Sequence, residues 1–132
     1  MRYLIPFVFI TLFFTSCKKE NFNTNIIGKW KLSEKMDAYV NGGQFTWENV
    51  PAEHQMEMQF EANGSYLEKR PNGADFTLCM GSFQVISETK VEISTPCQVQ
   101  PYSVAVSVNE DILEITHIVR EGRIIEKFIK TP

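Results

Sequence analysis

The sequence predicts an all-β protein, a roughly eight-stranded antiparallel up-and-down barrel that follows an N-terminal signal peptide. Three observations predict it. Apolar and polar residues alternate in short runs along most of the chain after residue 25, which is the period of a half-buried strand. Turn-forming clusters separate these runs at short intervals. No stretch carries the 3.6-residue apolar period of a long amphipathic helix, and no internal repeat appears.

The elements follow in order. Arg2, the apolar run from Tyr3 to Phe14 and the small residues Thr15 and Ser16 form a secretory signal over residues 1–16. The run is short of the roughly 20 apolar residues that a transmembrane helix needs. Residues 17–25 are polar and read as a tether, and residues 26–132 as the barrel domain. Gly28 to Ser33 alternates as an opening strand. Met56, Met58 and Phe60 alternate with Glu57, Gln59 and Glu61. Ala62-Asn63-Gly64 is a hairpin turn, which also explains the Asn63-Gly64-Ser65 sequon, and Ser65 to Lys69 returns from it. Pro71-Asn72-Gly73 is the next turn. Further runs cover Gly81–Ile86, Lys90–Ser94, Tyr102–Val108, Ile112–Val119 and Arg123–Lys130.

Composition bounds the partners. The chain of 132 residues is 43% hydrophobic and 22% charged, one ordinary folded domain. Its formal charge is −3, so no basic surface is available to neutralise phosphates, and nucleic-acid binding is not expected.

Three cysteines are present, at positions 17, 79 and 97. An exported protein matures in an oxidising compartment, so Cys79 and Cys97 are candidates for a disulfide. A three-residue loop at Ser87-Glu88-Thr89 sets Val85 opposite Val91 and Phe83 opposite Ile93. Continued outward, the same register places Cys79 opposite Cys97 on the same face. The alternative is two separately buried thiols.

Phe14-Thr15-Ser16-Cys17 resembles the lipobox of bacterial lipoproteins, with Phe14 where the family usually has Leu. The resemblance implies that Cys17 receives fatty-acyl groups such as palmitate and becomes the first residue of a membrane-anchored lipoprotein. The alternative is an ordinary signal with an incidental Cys. In that family Asp after the Cys holds the protein in the inner membrane; Lys18 stands there instead, which implies the outer membrane of a Gram-negative cell envelope. Ile27-Gly28-Lys29-Trp30-Lys31-Leu32 resembles the Gly-x-Trp opening strand of lipocalins, and the chain from about 26 to 131 is similar to small bacterial lipocalin-like lipoproteins. The resemblance implies that Gly28 turns the chain into the barrel and that Trp30 closes one end. A late cation usually stacks on that Trp; here Lys127 and Lys130 are available on the last strand.

Candidate binding residues come from two places. Residues 36–54 form an irregular segment in which Tyr39, Phe45 and Trp47 flank Asn41-Gly42-Gly43. By position in a lipocalin they would line a ligand mouth; equally, they would pack as a satellite cluster under a long loop. His117 shares strand parity with Leu113, Ile115 and Val119, and a turn at Glu121-Gly122 sets Glu126 opposite it. An inward His117–Glu126 pair would orient a polar ligand group, and its plainer reading is a satisfied structural couple or a solvent-facing pair. His54 falls in a loop and reads as solvated.

No catalytic, phosphate-binding or metal-ligating motif is found, so neither an enzyme nor a cofactor is expected. Two functions remain: a lipid-anchored barrel that binds a small apolar ligand, and a filled barrel whose loops dock a protein partner or inhibit an exogenous enzyme.

Overall fold

The computed structural model describes residues 25–39, 42 and 45–132. The signal segment, Cys17 and the tether up to residue 24 lie outside the described residues. Strands β1 (Gly28–Tyr39), β2 (Glu48–Asn49), β3 (Glu57–Phe60), β4 (Ser65–Asn72), β5 (Asp75–Ser87), β6 (Lys90–Ser94), β7 (Tyr102–Asn109), β8 (Ile112–Val119) and β9 (Gly122–Thr131) form one antiparallel sheet. Each of β3 to β8 pairs with the next, β1 pairs with β3, and β1 also pairs with β9. The result is a closed eight-stranded barrel with β2 as an extra strand on the free edge of β1. Closure leaves no long open edge along β1 and β9.

The floor of the barrel packs large side chains. Trp30, Phe60, Phe128, Ile26 and Leu113 are fully buried there. Phe60 lies tilted against Tyr66 at 5.1 Å and meets Phe83 edge-on at 5.0 Å, spacings at which aromatic pairs attract. Gly28 has φ +137, which L side chains rarely adopt, and it lets the chain swing from Ile26 into β1. The Trp30 indole Nε1–H then donates to the Ile26 carbonyl at 2.7 Å. Lys130 Nζ lies 5.3 Å from the Trp30 ring centroid, so a late lysine supplies the cation over the tryptophan.

Several boundaries differ from the sequence reading, each for a local reason. The opening strand does not stop at Ser33 but runs to Tyr39, because β9 offers a partner along its whole length. A bulge at Ser33 resets the alternation, so Leu32 pairs with Phe128 while Glu34 pairs with Lys127. The run Gly81–Ile86 extends back through Cys79 to Asp75 as one 13-residue strand, β5. Between β5 and β6 the loop is Glu88-Thr89, with Ser87 paired to Lys90, and a bulge at Ile86 absorbs the extra residue. The expected pairs Val85–Val91 and Phe83–Ile93 are therefore kept. Between β8 and β9 the turn is Arg120-Glu121, with Val119 opposite Gly122. Glu126 therefore faces Ile115, and His117 faces Ile124, a correction of two residues in register.

Cys79 and Cys97 form a disulfide with their Cα atoms 5.8 Å apart. Cys97 lies beyond the end of β6, so the bridge ties the β6–β7 loop to the middle of β5. Gly81 completes this junction: a Cβ there would stand 2.0 Å from the Ser94 carbonyl oxygen.

Candidate functional site

Above the aromatic floor the barrel is not filled. A cavity of about 630 Å³ occupies its other half, within the range of small-molecule sites. Leu32, Met58, Ile93, Val104 and Ile115 form its apolar lower wall. Lys35, Glu68, Arg70, Tyr102, His117 and Glu126 make the upper wall polar.

Strand β4 builds the most polar part. Phe60 pairs with Tyr66 across the β3–β4 hairpin, and both rings point into the core. Strand alternation then carries Glu68 and Arg70 to the same inner face. Glu68 is only 2% exposed, yet both carboxylate oxygens are engaged. The Tyr66 hydroxyl donates to Oε2 at 2.5 Å, and Arg70 Nε–H donates to Oε1 in an ion pair. These partners offset the cost of burying a carboxylate. Burial pushes the Tyr66 phenol well above its ordinary range, helped by the neighbouring Tyr102. Burial also raises Tyr102, against the lowering influence of Arg70. Both phenols therefore remain protonated donors at neutral pH.

His117 and Glu126 are brought together despite the shifted register. His117 Nε2 lies 3.0 Å from Glu126 Oε2, a diagonal contact across β8 and β9, and both side chains line the cavity. Lys35 pairs along the backbone with Glu126, while its Nζ lies 3.5 Å from Asp37 Oδ1.

The rim is made by two covering segments. The chain after β2 passes through a short 3₁₀ turn at Ala52–His54 and is laced to β1, with Leu32 N–H donating to Met56 O at 2.8 Å and Val50 N–H to Ser33 O at 2.9 Å. This lacing sets His54 and Met56 at the cavity. On the other side the disulfide holds the β6–β7 loop, which contributes Gln98.

The three candidate aromatics stand elsewhere. Among the described residues, the cavity lining includes none of Tyr39, Phe45 and Trp47. The bulge at Ser33 turns Glu34 outward beside Lys127, and these two pair at 2.5 Å on the outer wall. Lys127 Nζ also lies 3.9 Å from the Trp47 ring centroid, so Trp47 packs against the outside of the barrel. Tyr39 and Phe45 are largely exposed. Of the irregular segment, His54 borders the cavity instead, with Met56 just beyond it.

Tyr66, Glu68, Arg70 and Tyr102 escaped the sequence reading. A signal for the first three was present: once Tyr66 is set opposite inward Phe60, Glu68 and Arg70 must point inward too. Among the described residues no group of His, Cys, Asp and Glu side chains is arranged to hold a metal ion. No family model matches the chain, and no curated protein shows significant similarity to it.

Proposed function

We propose that this chain is a non-catalytic binding protein of the bacterial envelope, anchored through acylated Cys17, whose barrel holds one small molecule with an apolar body. The observation that carries the proposal is the cavity of about 630 Å³, with an apolar lower wall and a few fixed polar groups above it. A barrel built only as a scaffold has no need of a buried Glu68 held by Tyr66 and Arg70 at such a cavity.

The test is saturable binding of an apolar fluorescent probe to the purified protein. Binding should saturate at one probe per chain. Ile124→Trp should weaken it, because Ile124 lines the cavity and its replacement fills that space. A second reading, docking of a protein partner, draws on the outer face of β5. There Phe76, Leu78 and Met80 alternate outward at 54%, 51% and 68% exposure. Absence of saturable probe binding would leave that second reading in place.

A further inference from the structure

We infer that the cavity takes an amphipathic molecule tail first and holds its terminal carboxylate at Arg70, near the mouth. This deepens the binding reading above and rests on it. The Glu68 carboxylate, 2% exposed on the inner face of the barrel, is costly to bury, and its two oxygens are both spent, one on Tyr66 and one on Arg70. It has nothing left to offer a ligand. What it does is hold the Arg70 guanidinium by its Nε edge.

Held by that edge, the guanidinium keeps its other edge open. Among the described residues no protein group takes the hydrogens of Arg70 Nη1 and Nη2. The Arg70 side chain is 49% exposed and lines the cavity. Two parallel N–H groups in a rigid plane match the two oxygens of a carboxylate. Tyr102 also lines the cavity beside this fork, its hydroxyl hydrogen-bonded to Tyr66.

The remaining charges agree with an anion. Glu68 is spent on Tyr66 and Arg70, Glu126 Oε2 meets His117 Nε2 at 3.0 Å, and Lys35 adds a second cation to the lining. Depth sets the ligand's direction. Along β4 the side chains run from buried Tyr66 through Glu68 to half-exposed Arg70, and the apolar wall of Leu32, Met58 and Ile93 lies on the buried side. An apolar chain fits below and its charged end above. The opposite placement would bury the charge against that apolar wall and leave the chain in water.

The experiment compares octanoate, 1-octanol and octylammonium by calorimetry on the purified protein with its disulfide intact. Octanoate should bind about tenfold more tightly than octanol, the worth of hydrogen bonds to a charged group, and octylammonium more weakly than either. In the Glu68→Gln/Arg70→Met double variant, which strands no charge, the preference for octanoate should vanish while octanol affinity holds. Retained octanol binding is the control for folding. Should the double variant lose octanol as well, Arg70→Lys decides: it keeps a cation for Glu68 but lacks the fork, and the octanoate preference should fall several-fold. Equal affinity for octanoate and octanol in the wild type, or a preference for octylammonium, overturns the carboxylate assignment and leaves the cavity reading intact. Binding of none of the three removes both.

Discussion

The His117 imidazole and the Glu126 carboxylate meet at 3.0 Å although their backbones are not paired: His117 stands opposite Ile124, and Glu126 opposite Ile115. The contact is a diagonal one, made possible by the reach of the two side chains over the sheet's inner face.

This geometry makes the pair weak in stability and accessible to ligand. The two side chains are 37% and 19% exposed, so water screens their attraction. His117→Gln should lower the unfolding free energy by less than about 1 kcal/mol in urea titration. A loss above about 3 kcal/mol is the signature of a desolvated pair and contradicts the exposure of these two side chains.

The disulfide should matter more. Its cysteines are 18 positions apart, and closing a loop of that size restricts the unfolded chain by about 3 kcal/mol in the chain-entropy model. Thiol labelling of the denatured, non-reduced protein should leave Cys79 and Cys97 unmodified. Cys79→Ala/Cys97→Ala should lower Tm and also weaken probe binding, since the bridge holds the loop that brings Gln98 to the cavity.

Gly81 and Gly73 offer a paired comparison. A Cβ on Gly81 meets backbone at 2.0 Å, whereas one on Gly73 meets nothing within 4 Å and carries only the strain of φ +65. Gly81→Ala should therefore cost about 3 kcal/mol or more, because the Ser94 carbonyl must be displaced. Gly73→Ala should cost roughly 1 kcal/mol. Equal midpoints for the two variants in a thermal melt would mean that β5 and the end of β6 are not packed this closely.

The proposed anchor has a simple readout. Cys17→Ser should remove the acyl mass and move the protein from the membrane fraction to the soluble periplasmic one. A variant that stays in the membrane fraction at unchanged mass refutes acylation at Cys17.

The barrel was legible in the sequence because alternation survives wherever strands pair without interruption, as in Met56 to Phe60 or Ile112 to Val119. The register around Val85 and Val91 came out right even though the turn was misplaced. The bulge at Ile86 absorbs one residue, so the shorter loop and the bulge cancel beyond Val85. No such compensation exists at Arg120-Glu121, where a misjudged turn shifted every β8–β9 pair. The bulge at Ser33 hid the second half of β1, since a reset of parity reads as loss of pattern. Arg70 and Glu68 were missed for a different reason. Charged residues in an alternating strand look like its solvent face, and only the Phe60–Tyr66 pairing reveals that they lie on the inner one.

The chain's point of entry gives the molecule a direction. Ile26 and Trp30 belong to the packed floor, whereas Lys35, five residues further along β1 and so roughly 16 Å away, already borders the cavity. Whatever grips the N-terminus therefore grips the sealed base. On the proposed lipid anchor, the tether joins the barrel at its packed floor, the end opposite the cavity. A guest that enters at that far end from solution predicts that lengthening the tether leaves the rate of capture unchanged.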